Sequence, residues 1–349
     1  MRARPMLGVL PYTISLLLPP LVVASTLRGG WWTWLAPVVL YVAMPIVDAL
    51  VRADHVHHHP DEAERLGRQW GYRALTWAWV PLQTALVAWA ITHAASHPLS
   101  GVELAGLIVS VGSVTGGIGI TYAHELVHRT GRFELLLADC LLAQVSFPQF
   151  AVEHVHGHHR HVATPLDAST ARRGESLYRF LARSIAGGIA TVWRIEAERL
   201  GRRHATIWSP ANRAIRYAFT MALLVGAVGW WAGPVGLLVF LGQSAVAIVL
   251  VQGINYVEHY GLTRREIAPG RYERVEACHS WDSSHRITNW LLINLARHAD
   301  HHLAASKRFQ TLDTTTHAPQ LPAGYATMMM VALVPPLWRR VIDPRLPPA

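Results

Sequence analysis

Six stretches of about twenty mostly apolar residues constrain this chain more than any other feature, because each is long enough to cross the ~30 Å hydrocarbon core of a bilayer as a helix. They lie at about 7–25, 31–50, 74–95, 102–123, 214–232 and 235–256. Backbone surrounded by lipid must satisfy its own hydrogen bonds, so the expected fold class is an all-α integral membrane protein. The first stretch follows arginines, but no small-residue cleavage site leads into a soluble domain, and it reads as a retained helix.

The basic residues give an orientation. Arg28 is the one Lys or Arg in the short segments joining spans one to two, three to four and five to six, and nearly all the others fall at the N-terminus or in 51–73, 124–213 and 257–349. Those segments and both termini are therefore expected on the cytoplasmic side. The net charge of +9 then follows from topology and calls for no nucleic-acid partner. With no repeat and no low-complexity linker, 1–349 reads as a single domain. Cys140 and Cys278 form no CxxC pair, which excludes a thiolate zinc or iron centre within the chain.

Nineteen of the 21 histidines fall on the inferred cytoplasmic side, and their grouping separates them from scattered surface residues. At the end of the fourth span TYAHELVHRTGR places His124 and His128 at i and i+4, on one helix face. The same letters satisfy H-E-x-x-H, in which Glu125 would be the general base of a zinc protease. In EHVHGHHRH, His154, His158 and His159 read as one helical face, with His156 and His161 off it. LARHADHH sets His298, His301 and His302 at i, i+3 and i+4, and His259 follows Glu258 in NYVEHYGL. Nine imidazoles exceed the three protein ligands that a catalytic zinc takes. Two metals with four or five nitrogens each absorb the count, and imidazole-rich sites with open positions suit iron doing oxygen chemistry. A zinc protease built on HELVH remains the alternative at this point.

HELVHR, EHVHGHHRHVATP, NYVEHYGL and LARHADHH resemble, in order and in type, the signatures of the integral-membrane alkane hydroxylases, the alkane 1-monooxygenase family. That family belongs to the membrane histidine-rich di-iron class, with fatty-acid desaturases and the xylene monooxygenase hydroxylase. The tail RFQTLDTTTHAPQLPAGYATM points to the alkane and xylene branch. The resemblance implies six transmembrane helices under a cytoplasmic helical cap holding two iron ions, with His124, His128, His154, His158, His159, His259, His298, His301 and His302 as ligands. Glu125, Asp167, Glu258 and Asp300 would orient the imidazoles. It further implies hydroxylation of the terminal carbon of alkanes by O2 in a bacterial inner membrane. A fatty-acid hydroxylase or desaturase would share the same metals.

The chain carries no Rossmann glycine pattern, no flavin signature and no rubredoxin cysteines, so its electrons must come from a separate protein. By the same resemblance that donor is of the rubredoxin type, fed by its own reductase. An apolar substrate needs an apolar channel, for which Trp77, Trp79, Trp89, Gly112, Gly116, Gly117 and Gly119 are candidates, with helix packing as their other reading. His55, His57, His58 and His59 read as a solvated loop.

Overall fold

The computed structural model describes residues 8–347, and Leu7 and both chain ends lie outside the described residues. Five helical runs are long and apolar enough to cross a membrane: Leu10–Arg28, Gly30–Leu50, Trp70–Ser96, Gly101–Val127 and Arg213–His259. The last has 47 residues. At 1.5 Å per residue that is about 70 Å, more than twice the hydrocarbon thickness. Gly233 interrupts it with φ 64° and ψ −165°, just before Pro234. Only glycine adopts that backbone conformation readily. The break falls where the sequence separates the fifth span from the sixth.

Glycines set the closest helix contacts. A Cβ on Gly112 would run into Val246, one on Gly116 into the backbone of Ala247, and one on Gly119 into the Gln83 side chain. These three residues let Gly101–Val127 approach Arg213–His259 and Trp70–Ser96. The tryptophans pack as well. Trp79 stacks on Tyr122 and donates to Gln83, Trp77 lies edge-on to Phe133, and Trp89 stacks on His93. Among the seven channel candidates, Gly116 and Gly117 line cavities.

Outside these runs the chain is mostly short helices, and the one sheet among the described residues is the pair Glu266–Ala268 and Arg271–Tyr272. Helix Leu177–Gly201 packs against Arg213–His259 and against 150–161. Asp48, buried at the end of the second run, accepts from the backbone N–H of Ile287 and of Thr288, capping helix Arg286–Leu291. The loop at 51–59 is tied down more firmly than a solvated loop would be. Asp54 N–H donates to Ser284, Thr314 N–H donates to Val56, and His58 meets Asp313 through both its N–H and its Nδ1. His55, His57 and His59 are exposed.

Candidate metal centre

Four segments bring the nine histidines together in two groups. His124, His128, His154, His159 and His301 form one, and His158, His259, His298 and His302 the other, with the ligand nitrogens of each group all within 4.8 Å of one another. The partition differs from the single faces expected of an α-helix. Residues 154–158 form a π-turn, in which i and i+5 align. His154 and His159 therefore share the first group, and His158 turns to the second. In the C-terminal segment the α-helix His298–Leu303 keeps His298 with His302 at i and i+4, while His301 faces the first group.

The segments are held where they are by identifiable contacts. Gly157 sits against Thr191, whose Cγ2 would be 2.9 Å from an added Cβ, so segment 150–161 approaches Leu177–Gly201 closely. Asp282 accepts from Ala299 N–H at 2.7 Å and fixes the start of His298–Leu303. No spacing in the sequence marks Asp282 or the buried Glu153 as part of this arrangement.

The donor set fits metal ions. Burial, reinforced by the neighbouring rings, holds His128, His154, His159, His298, His301 and His302 well below the ordinary imidazole value, so these rings are neutral and keep a lone pair. Nε2 atoms meet in a series: His128 to His154 at 3.1 Å, His154 to His159 at 3.0 Å and His159 to His301 at 3.0 Å. In the second group His298 Nε2 lies 3.1 Å from His259 and 2.9 Å from His302. A ring nitrogen has one proton or one lone pair to offer, so a shared cation satisfies such a series better than hydrogen bonds do. With metal–nitrogen bonds of about 2.1 Å, right-angle neighbours are about 3.0 Å apart and tetrahedral neighbours about 3.4 Å. The observed separations match the former. His124 Nε2 and His158 Nε2 are buried without a hydrogen-bond partner among the described residues, as donors awaiting an ion would be.

The carboxylates divide by what they touch. Asp167 lies 2.9 Å from His158 Nδ1, which leaves Nε2 of that ring for its group. Burial alone would lower His158, but Asp167 and Glu153 raise it above its usual value. Burial also raises Glu153, with Asp167 adding repulsion. Glu258 Oε1 is 3.2 Å from His298 Nδ1, outside hydrogen-bond geometry, and a neutral His298 makes no ion pair with it. His259 Nδ1 faces the carbonyl of His279 at 3.3 Å, so it carries the proton. Glu125 and Asp300 instead hold the C-terminal tail: Glu125 accepts from Phe309 N–H and pairs with Arg129, and Asp300 accepts from Lys307 Nζ and Asp313 N–H. A Glu125 so engaged, beside a five-imidazole group, does not resemble a zinc protease base.

Two mainly apolar cavities lie side by side, and the inner one reaches this site. The outer one, with about 660 Å³ of free space, is lined by Leu40, Tyr41, Met44, Gly117, Leu291 and Ile254 among others. The inner one is narrow and is lined by Gly116, Phe150 and Ile254, by Asn255 and Glu258, and by His124, His154 and His298. Ile254 borders both.

Apolar helical runs carrying two cages of buried imidazoles at the end of an apolar cavity define the class of membrane histidine-rich metalloenzymes. A family model described as fatty acid desaturase matches residues 100–332. Alkane 1-monooxygenase 2 of Pseudomonas aeruginosa is 44% identical over 325 residues, which covers 90% of this chain and 84% of that protein. Alkane 1-monooxygenase 2 of Alcanivorax borkumensis is 39% identical over 319 residues, 90% of this chain and 83% of that one. The xylene/toluene monooxygenase hydroxylase component of Pseudomonas putida is 27% identical over 337 residues, 95% of this chain and 88% of its own length. The chain belongs to the alkane 1-monooxygenase family, and through it to the wider desaturase class.

Proposed function

We propose that this enzyme hydroxylates the terminal carbon of alkanes to primary alcohols, using O2 and two electrons from a separate rubredoxin-type protein and releasing water. The observation that carries the reading is the convergence of nine imidazoles into two groups at the inner end of an apolar cavity. The family membership given above supports it.

Two iron ions would be held by His124, His128, His154, His159 and His301, and by His158, His259, His298 and His302. The chemistry such a pair supplies is reductive activation of O2 for insertion of one oxygen atom into a C–H bond. The chain's own residues do the rest. An alkane offers no polar handle, so orientation comes from the shape of the cavity walls. Leu40, Tyr41 and Met44 surround the distal part of the chain, and Ile254 and Phe150 guide its end toward His124 and His154. Those apolar walls also exclude water from the reacting end. Asp167 and the His279 carbonyl keep protons on the outer nitrogens of His158 and His259.

We read the molecule as one domain with six crossings, the fifth and sixth forming a hairpin at Gly233–Pro234, in an inner membrane with site and termini cytoplasmic. The distribution of arginines supports that orientation. The test is metal analysis of the detergent-purified protein, then product analysis with octane, hexadecane, xylene and a fatty acid in the presence of a donor system. Two irons per chain and primary alcohol from an alkane are expected. A single zinc, or turnover of the acyl substrate alone, would overturn the reading.

A further inference from the structure

Two depressions meet in the crease between helix Leu177–Gly201 and the start of Arg213–His259, on the side of the molecule that carries the histidines. One is a basic cleft with about 670 Å³ of free space, lined by Arg160, Arg199, Arg202, Arg213, His156 and Glu198 among others. The other is an apolar groove of about 560 Å³ whose walls include Ile189, Val192, Trp193, Tyr217 and Met221. They adjoin, since Val192 of the groove and Ile195 of the cleft stand three residues apart on one face of the helix, and Ala214 of the groove follows Arg213.

The charges are unequally committed. Buried Glu196 accepts from both Arg199 and Arg213 and holds those two guanidinium groups in place. Arg160 and Arg202 are exposed and have no side-chain partner among the described residues. Four arginines against Glu196 and Glu198 leave the cleft positive.

We propose that this crease binds an anionic phospholipid, with the phosphodiester between Arg160 and Arg202 and an acyl chain in the groove past Val192 and Met221. The level in the membrane is right for it. Arg213 opens a span, and Trp208, 76% exposed and 5.9 Å from the Trp193 ring, stands beside the groove as interfacial tryptophans do. Further along the same helix Phe219 and Leu223 are exposed, as lipid-facing residues are. Anionic headgroups are drawn to arginines at this depth. A folded acidic protein would meet the arginines, but it has no group to fill an apolar groove running down a membrane span. The ligand helix 150–161 forms one wall of the cleft through Val155, His156 and Arg160, so a bound lipid would brace it.

The experiment is native mass spectrometry of the full chain, released from mixed micelles holding equal phosphatidylglycerol and phosphatidylcholine. Wild type is expected to retain phosphatidylglycerol preferentially, and Arg160→Gln with Arg202→Gln to reduce that retention about tenfold. Ala218→Trp, which fills the groove without altering charge, should reduce it as well. Unaltered gel-filtration behaviour and metal content check that the variants fold. Equal retention of both lipids overturns the proposal, as does full retention in the arginine double variant. It is equally overturned if inorganic phosphate displaces the adduct while Ala218→Trp has no effect, or if the double variant only raises KM for an acidic electron donor.

Discussion

Gly116 and Gly117 are neighbours with opposite surroundings. A Cβ on Gly116 meets the Ala247 backbone, whereas one on Gly117 meets nothing within 4 Å and would project where the outer cavity lies. Gly117→Leu should therefore shorten the alkane chain accepted while the protein still folds, and Gly116→Leu should impair folding. Product profiles across a ladder of alkanes check this, and an unchanged profile for folded Gly117→Leu would remove the outer cavity from the substrate path. Asp167→Asn should lower metal affinity about 10- to 100-fold by weakening the hold on His158. Asp300→Asn should do less, since Asp300 touches Lys307 and the Asp313 backbone but makes no hydrogen bond to any of the nine imidazoles. Metal retained after dialysis against a graded chelator series separates the two. At this scale the imidazoles were legible because their type and spacing are rare in combination. Glu153 and Asp282 were not, because a lone carboxylate shows its role only once folding has placed a ring or a helix end beside it.

Span positions were legible from apolar length, including the break at Gly233, because lipid demands continuous helix and a Gly-Pro pair ends one. The π-turn at 154–158 was not. It depends on how closely 150–161 can approach Leu177–Gly201, which is a property of two elements together. Gly157→Val should push these helices apart at Thr191 and misalign His158 and His159. Loss of metal in an otherwise folded, membrane-inserted protein is the expected outcome, and full metal content would show the approach to be dispensable. Gly233→Ala should cost on the order of 1–3 kcal/mol, because alanine is strained at that φ and ψ. A lowered Tm with intact metal content is the measurement.

Across the whole molecule the loop at 51–59 and the tail at 307–315 are tied to one another, and the tail to Glu125 and Asp300, so three distant parts of the chain close over the histidines. No pattern of residues pointed to that closure, since His58 and Asp313 are 255 positions apart. Electrons must still enter through the surface that these segments form over the histidines, and its arginines favour an acidic donor. Turnover at limiting donor should fall as ionic strength rises, and salt-independent rates would place docking elsewhere. The segments 150–161 and His298–Leu303 each contribute to both histidine groups, while His124 and His128 serve the first alone and His259 the second alone. Filling either cage therefore stiffens two scaffolds that the other cage needs already stiff. Metal uptake should follow a sigmoidal isotherm, and half-loaded protein should be scarce at every intermediate ratio of ion to chain.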